Sequence, residues 1–456
     1  MSRTFLETAR REHIYRPISE RIQDYHEVEM RLAAQEVQQL AGRCQNCGLP
    51  FCHAMGCPLQ NAIPDINRAA MRGDWRGAWE RLSETSPFPE VTSRICPALC
   101  EAACCLEGEN FGATNVRQVE KMVVDTAFAQ GWVKMAAPLH RNGKKAAVIG
   151  AGPAGLATAI KLNQAGWEVT IYDRNAKPGG LLRYGIPCFK LDKALLDRRW
   201  ALMAEAGIQF HGNTEIGKDI SGSYLLKHYN AVVVTNGTPV ARDLKVPGRE
   251  LNGIVQALQL LCGQNCCNTD EIAVTPISGA GRKVLIIGGG DTGNDCGGTV
   301  LRQGAVSVMS IDLMPKPPVE RSPNTPWPMW PYRLRGSSSV DEGLQRFWSL
   351  NTLRFLGENG QVAGVEVVPV KWEFEASGRP AKFAVAGPSQ VIPCDLVVLA
   401  MGFLKRNRTE VLASLGLPDQ ENVLIAGDAA TGPSLVVRAI ADGLKCVEGL
   451  IATTSA

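Results

Sequence analysis

Seven cysteines lie close together near the start of the sequence and could bind inorganic clusters. They form two groups: Cys44, Cys47, Cys52 and Cys57, and then Cys96, Cys100 and Cys104. Thiolates at such short spacings are typical ligands of iron–sulfur clusters and of zinc. Iron–sulfur clusters would carry electrons, whereas zinc would only stabilise the loops. Nucleotide-binding motifs further along the chain favour iron–sulfur clusters.

Two four-iron clusters would need one more ligand than these seven thiols provide. Cys105, which adjoins Cys104, is one candidate, and Glu120 on the next predicted helix is the other. In two-cluster ferredoxins the cysteine that precedes a proline binds the other cluster. Cys57 precedes Pro58, so it need not share a cluster with its sequence neighbours.

A first glycine loop predicts a dinucleotide site. Its residues follow a short apolar strand and open a helix: Gly150, Gly152, Pro153, Ala154 and Gly155. The first glycine makes the tight turn, the second admits a pyrophosphate and the third lets the helix pack on the strand. A second strand, from Glu168 to Tyr172, ends at Asp173. That carboxylate is placed to accept hydrogen bonds from ribose hydroxyls.

A second glycine loop repeats this pattern and predicts a nicotinamide coenzyme site. It contains Gly288, Gly290, Asp291, Thr292 and Gly293, and the strand that follows, from Ser307 to Ile311, ends at Asp312. An acid there favours the 2′-hydroxyl of NADH and repels the 2′-phosphate of NADPH. Lys316 and Arg321 lie just beyond, where they could reverse that preference or remain solvated.

Two further glycine turns suit a flavin in the first of these sites. Gly180, with the adjoining Leu181, would lie near the isoalloxazine ring, and Gly427 with Asp428 near the ribityl chain. Asp428 also fits the N-cap of a helix. Hydride transfer between nicotinamide and flavin needs no side-chain acid or base, so the sequence predicts no catalytic residue.

The elements that must position these motifs indicate an α/β chain. Residues 1–140 are predicted to be helical, with helices over Arg31–Leu40, over Asn67–Leu82 with interruptions at Gly73 and Gly77, and over Asn115–Ala129. From residue 141 strands and helices alternate, as in a parallel sheet. We predict a first dinucleotide domain over 141–250 and 395–456 and a second over 251–394, inserted in the first. The proline-rich stretch from residue 315 to 331 predicts an extended loop.

The bulk properties are those of an ordinary globular protein. The chain has 456 residues, 45% hydrophobic and 20% charged, with a formal charge of +3. This charge indicates neither nucleic acid nor membrane as a partner. No apolar run reaches the ~18 residues that a membrane span needs, and the start lacks the apolar core of a secretory signal. A cytoplasmic location is expected, and the scattered remaining cysteines predict buried apolar positions.

The motifs together resemble the small (beta) subunit of glutamate synthase, in its plant-like, NADH-type branch. The resemblance rests on Cys-x2-Cys-Gly-x-Pro-Phe-Cys-His from Cys44, Arg-Ile-Cys-Pro-Ala-Leu-Cys-Glu from Arg94, Gly-Gly-Leu-Leu-Arg-Tyr-Gly-Ile-Pro from Gly179 and Asn-Thr-Pro-Trp-Pro-Met-Trp-Pro from Asn324. It implies two Rossmann-like domains of the glutathione reductase type, FAD in the first, NADH or NADPH in the second, and two 4Fe-4S clusters in the helical domain. It also implies a large (alpha) subunit that makes glutamate from 2-oxoglutarate and glutamine.

The resemblance extends to the N-terminal part of dihydropyrimidine dehydrogenase, in which cluster ligation is crossed. Carried to this chain, one cluster would be bound by Cys44, Cys47, Cys52 and Cys104. The other would be bound by Cys57, Cys96, Cys100 and a side chain matching Glu120. Asp312 stands where NADPH-using bacterial members have paired arginines. The alternative function is electron input to another enzyme, such as a pyrimidine dehydrogenase or a ferredoxin-linked transhydrogenase.

Overall fold

The computed structural model describes residues 4–375 and 378–452. Its N-terminal region is helical, as predicted. The elements are α1 (Thr4–Glu7), α2 (Ile18–Arg21), α3 (Ala34–Ala41), a π-helix (Cys52–Gly56), α4 (Ile63–Met71), α5 (Trp75–Ser83), α6 (Pro89–Ile95), α7 (Leu99–Ala102), α8 (Cys105–Gly108) and α9 (Val116–Ala129).

The interruption predicted at Gly73 separates two helices, whereas the one predicted at Gly77 does not occur, because Gly77 lies within α5. The stretch from Asn67 to Leu82 breaks between α4 and α5, because Gly73 has φ +76°, a conformation that glycine adopts without strain. Asp74 then caps α5, with a side-chain oxygen that accepts from the backbone N–H of Gly77 at 2.9 Å. Helices α3, α4, α5 and α9 bury one apolar core.

Strands and helices alternate after this region. The first group comprises β1 (Lys145–Ile149), α10 (Pro153–Gln164), β2 (Glu168–Tyr172), α11 (Leu181–Tyr184), α12 (Lys193–Glu205), β3 (Gln209–His211), α13 (Gly222–His228) and β4 (Ala231–Val234). The strands run parallel and are buried on both faces near the sheet centre, since helices cover them.

A second parallel sheet is inserted at this point. The inserted elements are β5 (Ile254–Gln256), α14 (Ala257–Asn268), β6 (Lys283–Ile287), α15 (Asp291–Arg302), β7 (Ser307–Asp312), α16 (Ser338–Asp341), β8 (Gln345–Trp348), β9 (Leu350–Glu358), β10 (Gln361–Phe374), β11 (Pro380–Val385), β12 (Gln390–Pro393) and β13 (Leu396–Leu399). The parallel sheet has the order β5-β13-β6-β7-β8. Because β13 pairs with β5 and β6, the insert reaches Leu399 rather than ending at residue 394.

The chain then returns to the first sheet. The closing elements are α17 (Arg408–Ala413), β14 (Val423–Ile425), α18 (Asp428–Thr431), α19 (Val436–Cys446) and α20 (Glu448–Ala452). Strand β14 pairs with β4, which gives the order β14-β4-β1-β2-β3. The two parallel sheets therefore repeat one arrangement, each with its glycine loop after the central strand.

An antiparallel sheet, which the sequence analysis did not predict, covers one side of the second parallel sheet. Strand β10 pairs with β9, β11 and β12. Its buried residues Val365 and Val367 join Leu285 and Ile311 of the parallel sheet in one core. Residues 313–336, between β7 and α16, contain no helix or strand, as the prolines predicted.

The helical region packs directly on the first sheet. Phe88, the N-cap residue of α6, and Val91 within α6 share a core with Leu156 and Ile160 of α10. No helix in the described ranges is long and apolar enough to cross a membrane.

Candidate functional site

The first glycine loop joins β1 to α10 and leaves its middle open. Gly150 has φ +105°, and a Cβ atom there would lie 2.6 Å from the carbonyl oxygen of Thr235. A Cβ atom on Gly155 would lie 1.9 Å from the carbonyl oxygen of Gly150. A Cβ atom on Gly152 would meet nothing within 4 Å. Only glycine fits the two crowded positions, and the open one gives a pyrophosphate access to the backbone.

The N-terminus of α10 and the end of β2 complete this loop. Pro153 and Ala154 form the first turn of α10, where free N–H groups and the helix dipole favour an anion. The Asp173 carboxylate accepts from the backbone N–H of Ala151 at 2.7 Å and from that of Asn175 at 2.8 Å. These bonds hold Asp173 beside the loop, in the position expected of a ribose-binding acid.

The residues predicted to surround a flavin ring gather around the same loop. A Cβ atom on Gly180 would lie 2.7 Å from the Cα atom of Gly152, and one on Gly427 would lie 2.6 Å from the Cβ atom of Ala154. Leu181 begins α11 and exposes its side chain next to this loop. The structure thus brings the separate glycine turns to one end of α10.

Asp428 is fixed by its own contacts at this end of the sheet. Its carboxylate accepts from the hydroxyl of Ser434 at 2.6 Å, and burial raises its pKa. The prediction that Asp428 is a helix N-cap is wrong, because Gly427 occupies the N-cap of α18 and Asp428 is the first residue in it. The backbone N–H of Gly427 donates instead to Asp442 at 2.7 Å.

The second glycine loop has the same construction between β6 and α15. Gly288 has φ +122°, and a Cβ atom there would lie 2.2 Å from the carbonyl oxygen of Ala400. A Cβ atom on Gly293 would lie 2.3 Å from the carbonyl oxygen of Gly288. Gly290 is open, and Asp291 and Thr292 form the first turn of α15. The free N–H groups of this helix N-terminus are thus placed as the sequence predicted for a second pyrophosphate.

Asp312 lies against this second loop. A Cβ atom on Gly289 would be 2.5 Å from the Oδ2 atom of Asp312. The Oδ1 atom accepts from the backbone N–H of Met314 at 2.9 Å. The carboxylate is therefore at the edge of the nucleotide loop, where it can reach a ribose.

The two cations that follow Asp312 in sequence have different positions. Lys316 lies over the ring of Trp348, with its Nζ atom 5.3 Å from the ring centroid. Arg346 lies 5.4 Å from the same centroid. Arg321 instead donates to backbone carbonyls outside the coenzyme loop, including that of Ala102 at 3.2 Å. Trp348 and Arg346 were missed in the sequence because only the pairing of β7 with β8 brings them beside Asp312.

In the folded chain a first group of cysteines, drawn from both sequence groups, surrounds a cavity. Five cysteines line it: Cys44, Cys47, Cys52, Cys104 and Cys105. The sulfurs of Cys47 and Cys105 lie 3.6 Å apart. Burial, together with the nearby thiols of Cys104 and Cys44, raises the pKa of Cys52 to about 12. A set of thiols around an internal space fits a four-iron cluster, in which the thiolates bind separate irons.

A second group in the folded chain, formed by Cys57, Cys96 and Cys100, lies where the π-helix, α6, α7 and α9 meet. Cys57 follows the π-helix, Cys96 follows α6, and Cys100 lies in α7. A Cβ atom on Gly56 would be 2.7 Å from the Cα atom of Cys100, so these segments touch. Burial, followed by the charge of Glu120, raises the pKa of Cys57 to about 11.

Glu120 faces this second group from α9. Burial raises its pKa to about 7, and its Oε1 atom accepts from the side-chain amide of Asn61 at 2.9 Å. Asn61 also accepts from the hydroxyl of Thr85 at 2.8 Å. Asn61 was not predicted, because an asparagine in a loop gives no sequence signal for such a role. In the described residues, no three His, Cys, Asp or Glu are grouped so as to hold a single metal ion.

Comparisons with known proteins agree with this arrangement. Residues 21–132 match the family described as dihydropyrimidine dehydrogenase domain II, 4Fe-4S cluster. Residues 144–324 match the pyridine nucleotide-disulphide oxidoreductase family. The glutamate synthase [NADPH] small chain of Mycobacterium tuberculosis is 42% identical over 449 residues, which are 94% of this chain and 90% of that protein. This chain belongs to the glutamate synthase small-chain family.

Other relatives extend this result. The small chain from Azospirillum brasilense is 37% identical and covers 99% of this chain and 96% of its own length. The glutamate synthase [NADH] of Saccharomyces cerevisiae is 39% identical over 98% of this chain, which corresponds to 22% of the yeast protein. FprA, an oxidoreductase from Mycobacterium tuberculosis, superposes with a TM-score of 0.54 over 68% of this chain and 85% of its own, at 17% identity, which indicates a shared fold.

These findings confirm several predictions. The small-chain family, the α/β fold with an N-terminal iron–sulfur domain, and an NAD(P)H-dependent oxidoreductase are confirmed. The 4Fe-4S match favours iron–sulfur chemistry over the zinc alternative. Relatives named for NADPH and for NADH occur together, so kinship with the family does not identify the coenzyme.

Proposed function

We propose that this chain is the electron-input subunit of glutamate synthase, which oxidises NAD(P)H and passes the electrons through FAD and two 4Fe-4S clusters to a large subunit. The main support is that one chain of this family carries two open glycine loops and two converging cysteine groups. When bound, FAD accepts a hydride from NAD(P)H and can release its electrons singly, and iron–sulfur clusters carry single electrons.

The protein residues bind and orient these groups. Backbone N–H groups at the start of α10 and α15 would bind the two pyrophosphates. Asp173 and Asp312 would accept from ribose hydroxyls, and Gly180, Leu181, Gly427 and Asp428 would border the flavin. Since the hydride moves directly between two rings, no side chain has to transfer a proton to the reacting atoms.

We assign the cluster ligands from the two cysteine groups. Cys44, Cys47, Cys52 and Cys104 would bind the first cluster, because all four line one cavity. Cys57, Cys96, Cys100 and Glu120 would bind the second. Burial raises the pKa of Cys100, and the nearby groups Glu120, Cys57 and Cys96 raise it further, in keeping with one site for these side chains.

The first experiment is an iron and sulfide analysis of protein purified without oxygen. About eight irons and eight sulfides per chain are expected for two four-iron clusters. Cys104→Ala should lose about half of both, whereas the adjacent Cys105→Ala should retain all. If Cys104→Ala kept all its iron and sulfide and Cys105→Ala lost half, Cys105 would be the cluster ligand in place of Cys104. Zinc in place of iron in the unaltered protein would contradict the proposal.

The second experiment tests the route of the electrons. Anaerobic addition of NADH, and separately of NADPH, should bleach the visible absorbance of the flavin and the clusters. We propose a preference for NADH because Asp312 lies at the coenzyme loop. Bleaching by NADPH alone would contradict this preference and leave the electron-input role intact.

The third experiment tests the partner. Mixed with a glutamate synthase large subunit, the chain should oxidise NAD(P)H only when glutamine and 2-oxoglutarate are both present. Alone, it should reduce artificial acceptors. Activity with artificial acceptors but none with the large subunit would favour electron input to another enzyme, such as a pyrimidine dehydrogenase.

A further inference from the structure

The proline-rich segment, residues 313–336, connects the coenzyme sheet to the first cysteine group. It leaves the end of β7 beside Asp312 and returns to α16. Between these points it contacts residues 102–108, the stretch that carries Cys104 and Cys105. Arg321 donates to the carbonyl oxygen of Ala102 at 3.2 Å, and the indole N–H of Trp327 donates to that of Cys104 at 3.0 Å.

Trp327 makes the closest of these contacts. Its ring centroid lies 4.8 Å from that of Phe51, which lines the cavity and directly precedes Cys52. A Cβ atom on Gly108 would lie 3.0 Å from the Trp327 ring, so the indole packs directly on that backbone. One side chain thus supports two walls of the cavity from outside: the Phe51 wall by ring packing and the Cys104 wall by a hydrogen bond.

The other attachments are weaker on physical grounds. Arg333 forms an ion pair with Glu107 at 3.3 Å, but its side chain is substantially exposed. Exposed pairs contribute little because water screens the charges and the long side chains lose freedom. An indole packed on a ring and on backbone keeps both a large apolar contact and its N–H bond. Trp327 is therefore the attachment whose removal would open the cavity wall.

We propose that Trp327 is a positioning residue for the first iron–sulfur site, holding Phe51 and the Cys104 backbone in place and thereby closing the site to solvent. The inference depends on the proposed function to the extent that a cluster occupies this cavity. It gives a segment of the coenzyme domain a specific role at a site in the N-terminal region. Without the indole, we expect the first cluster to exchange iron with solvent faster, while the second keeps its own rate.

The test is the anaerobic rate at which a ferrous chelator extracts iron from the purified holoprotein. In Trp327→Ala, about half of the iron should leave about tenfold faster, the factor that corresponds to an aromatic contact worth about 1.4 kcal/mol. The other half should leave at the unaltered rate. Trp327→Phe keeps an aromatic ring next to Phe51 but loses the N–H donor and part of the indole surface, so an intermediate rate is expected.

Trp330→Phe is the matched control. Trp330 belongs to the same segment, but it packs on the core that the first sheet shares with the second group of cysteines, and its ring centroid lies 3.8 Å from the guanidinium carbon of Arg335. It should leave the release of iron from the first cluster unchanged. Flavin content and reduction of artificial acceptors should be normal in all variants, because the flavin residues lie elsewhere.

Three outcomes would overturn the inference: unaltered iron release from both Trp327 variants, faster release from both clusters together, or equal acceleration by Trp330→Phe. If Trp327→Ala failed to fold, as judged by lost flavin, Trp327→Phe would serve as the test. An unaltered rate of iron release from Trp327→Phe would then count against the inference. Absence of iron from the unaltered protein would instead refute the proposed function.

Discussion

A buried ion pair joins the iron–sulfur region to the first sheet, and its removal gives the sharpest stability prediction. Glu90 of α6 accepts from the guanidinium of Arg199 in α12 at 2.6 and 2.8 Å. Both side chains are buried, with 0% and 7% of their surfaces exposed. Glu90→Gln removes the charge but keeps the shape, so Arg199 is left as an uncompensated buried cation. The expected loss in free energy of unfolding is about 3–5 kcal/mol.

The assay is urea unfolding of the metal-loaded protein, followed by tryptophan fluorescence and flavin release. The double variant Glu90→Leu with Arg199→Met should recover most of the loss, because it leaves no buried charge. Glu80→Gln is the control, since its pair with Arg76 spans one helical turn on the surface. That change should cost about 0.5 kcal/mol or less.

This reasoning would be refuted if Glu90→Gln were no more destabilising than Glu80→Gln. Loss of the Glu90–Arg199 pair should also affect a cluster site, because α6, which carries Glu90, ends directly before Cys96. In Glu90→Gln, iron at the second cluster should become more labile, while NAD(P)H reduction of artificial acceptors at the flavin should remain.

Three further predictions concern the coenzyme, the flavin and pH. Asp312→Ser should raise kcat/KM for NADPH relative to NADH by about tenfold or more, because an anion beside the expected 2′-phosphate is removed. Steady-state kinetics with both coenzymes measures this ratio, and an unchanged ratio would show that Asp312 does not set the coenzyme preference. Gly155→Ala should abolish flavin retention, since its Cβ atom would lie 1.9 Å from the carbonyl oxygen of Gly150; absorbance of the purified variant measures it, and a normal flavin content would disprove the packing argument. Burial lowers the pKa of Lys193 from 10.5 to about 8, so the unfolded chain binds more protons between these values. Stability should therefore rise with pH across this window, and Lys193→Met should flatten that rise in urea midpoints; a slope identical to the unaltered protein would contradict it.

The local elements around the nucleotides were predictable because their signals lie within short stretches. The predicted strand from Glu168 to Tyr172 coincides with β2, and that from Ser307 to Ile311 lies within β7. In each case an apolar run follows a glycine turn and a helix, a pattern that a parallel sheet requires. Of the two glycines expected to interrupt Asn67–Leu82, Gly73 separates α4 from α5, whereas Gly77 lies within α5, because a glycine alone does not show whether a helix continues or ends.

The convergence of distant segments was less predictable. Cys104 joins the cavity of Cys44 across 60 positions, and only the resemblance to a known family implied that pairing. Asn61 and Arg346 were missed because their roles depend on which helix or strand lies next to them. The antiparallel sheet was not predicted because its strands contain none of the motifs from which the other strands were inferred.

The same long-range contacts explain how the inserted sheet is held against the N-terminal region. Glu342 accepts from Arg21 of α2 at 2.7 Å and from Arg302 of α15 at 2.7 Å, with all three side chains buried. Trp327 provides a separate attachment, to the backbone of Cys104. Hydride transfer requires the reacting atoms to lie about 3–3.5 Å apart, so a fixed coenzyme sheet favours it. Because two separate attachments lead to the N-terminal region, a displacement that opened the coenzyme site would have to break a buried ion network or withdraw the indole from the cluster wall.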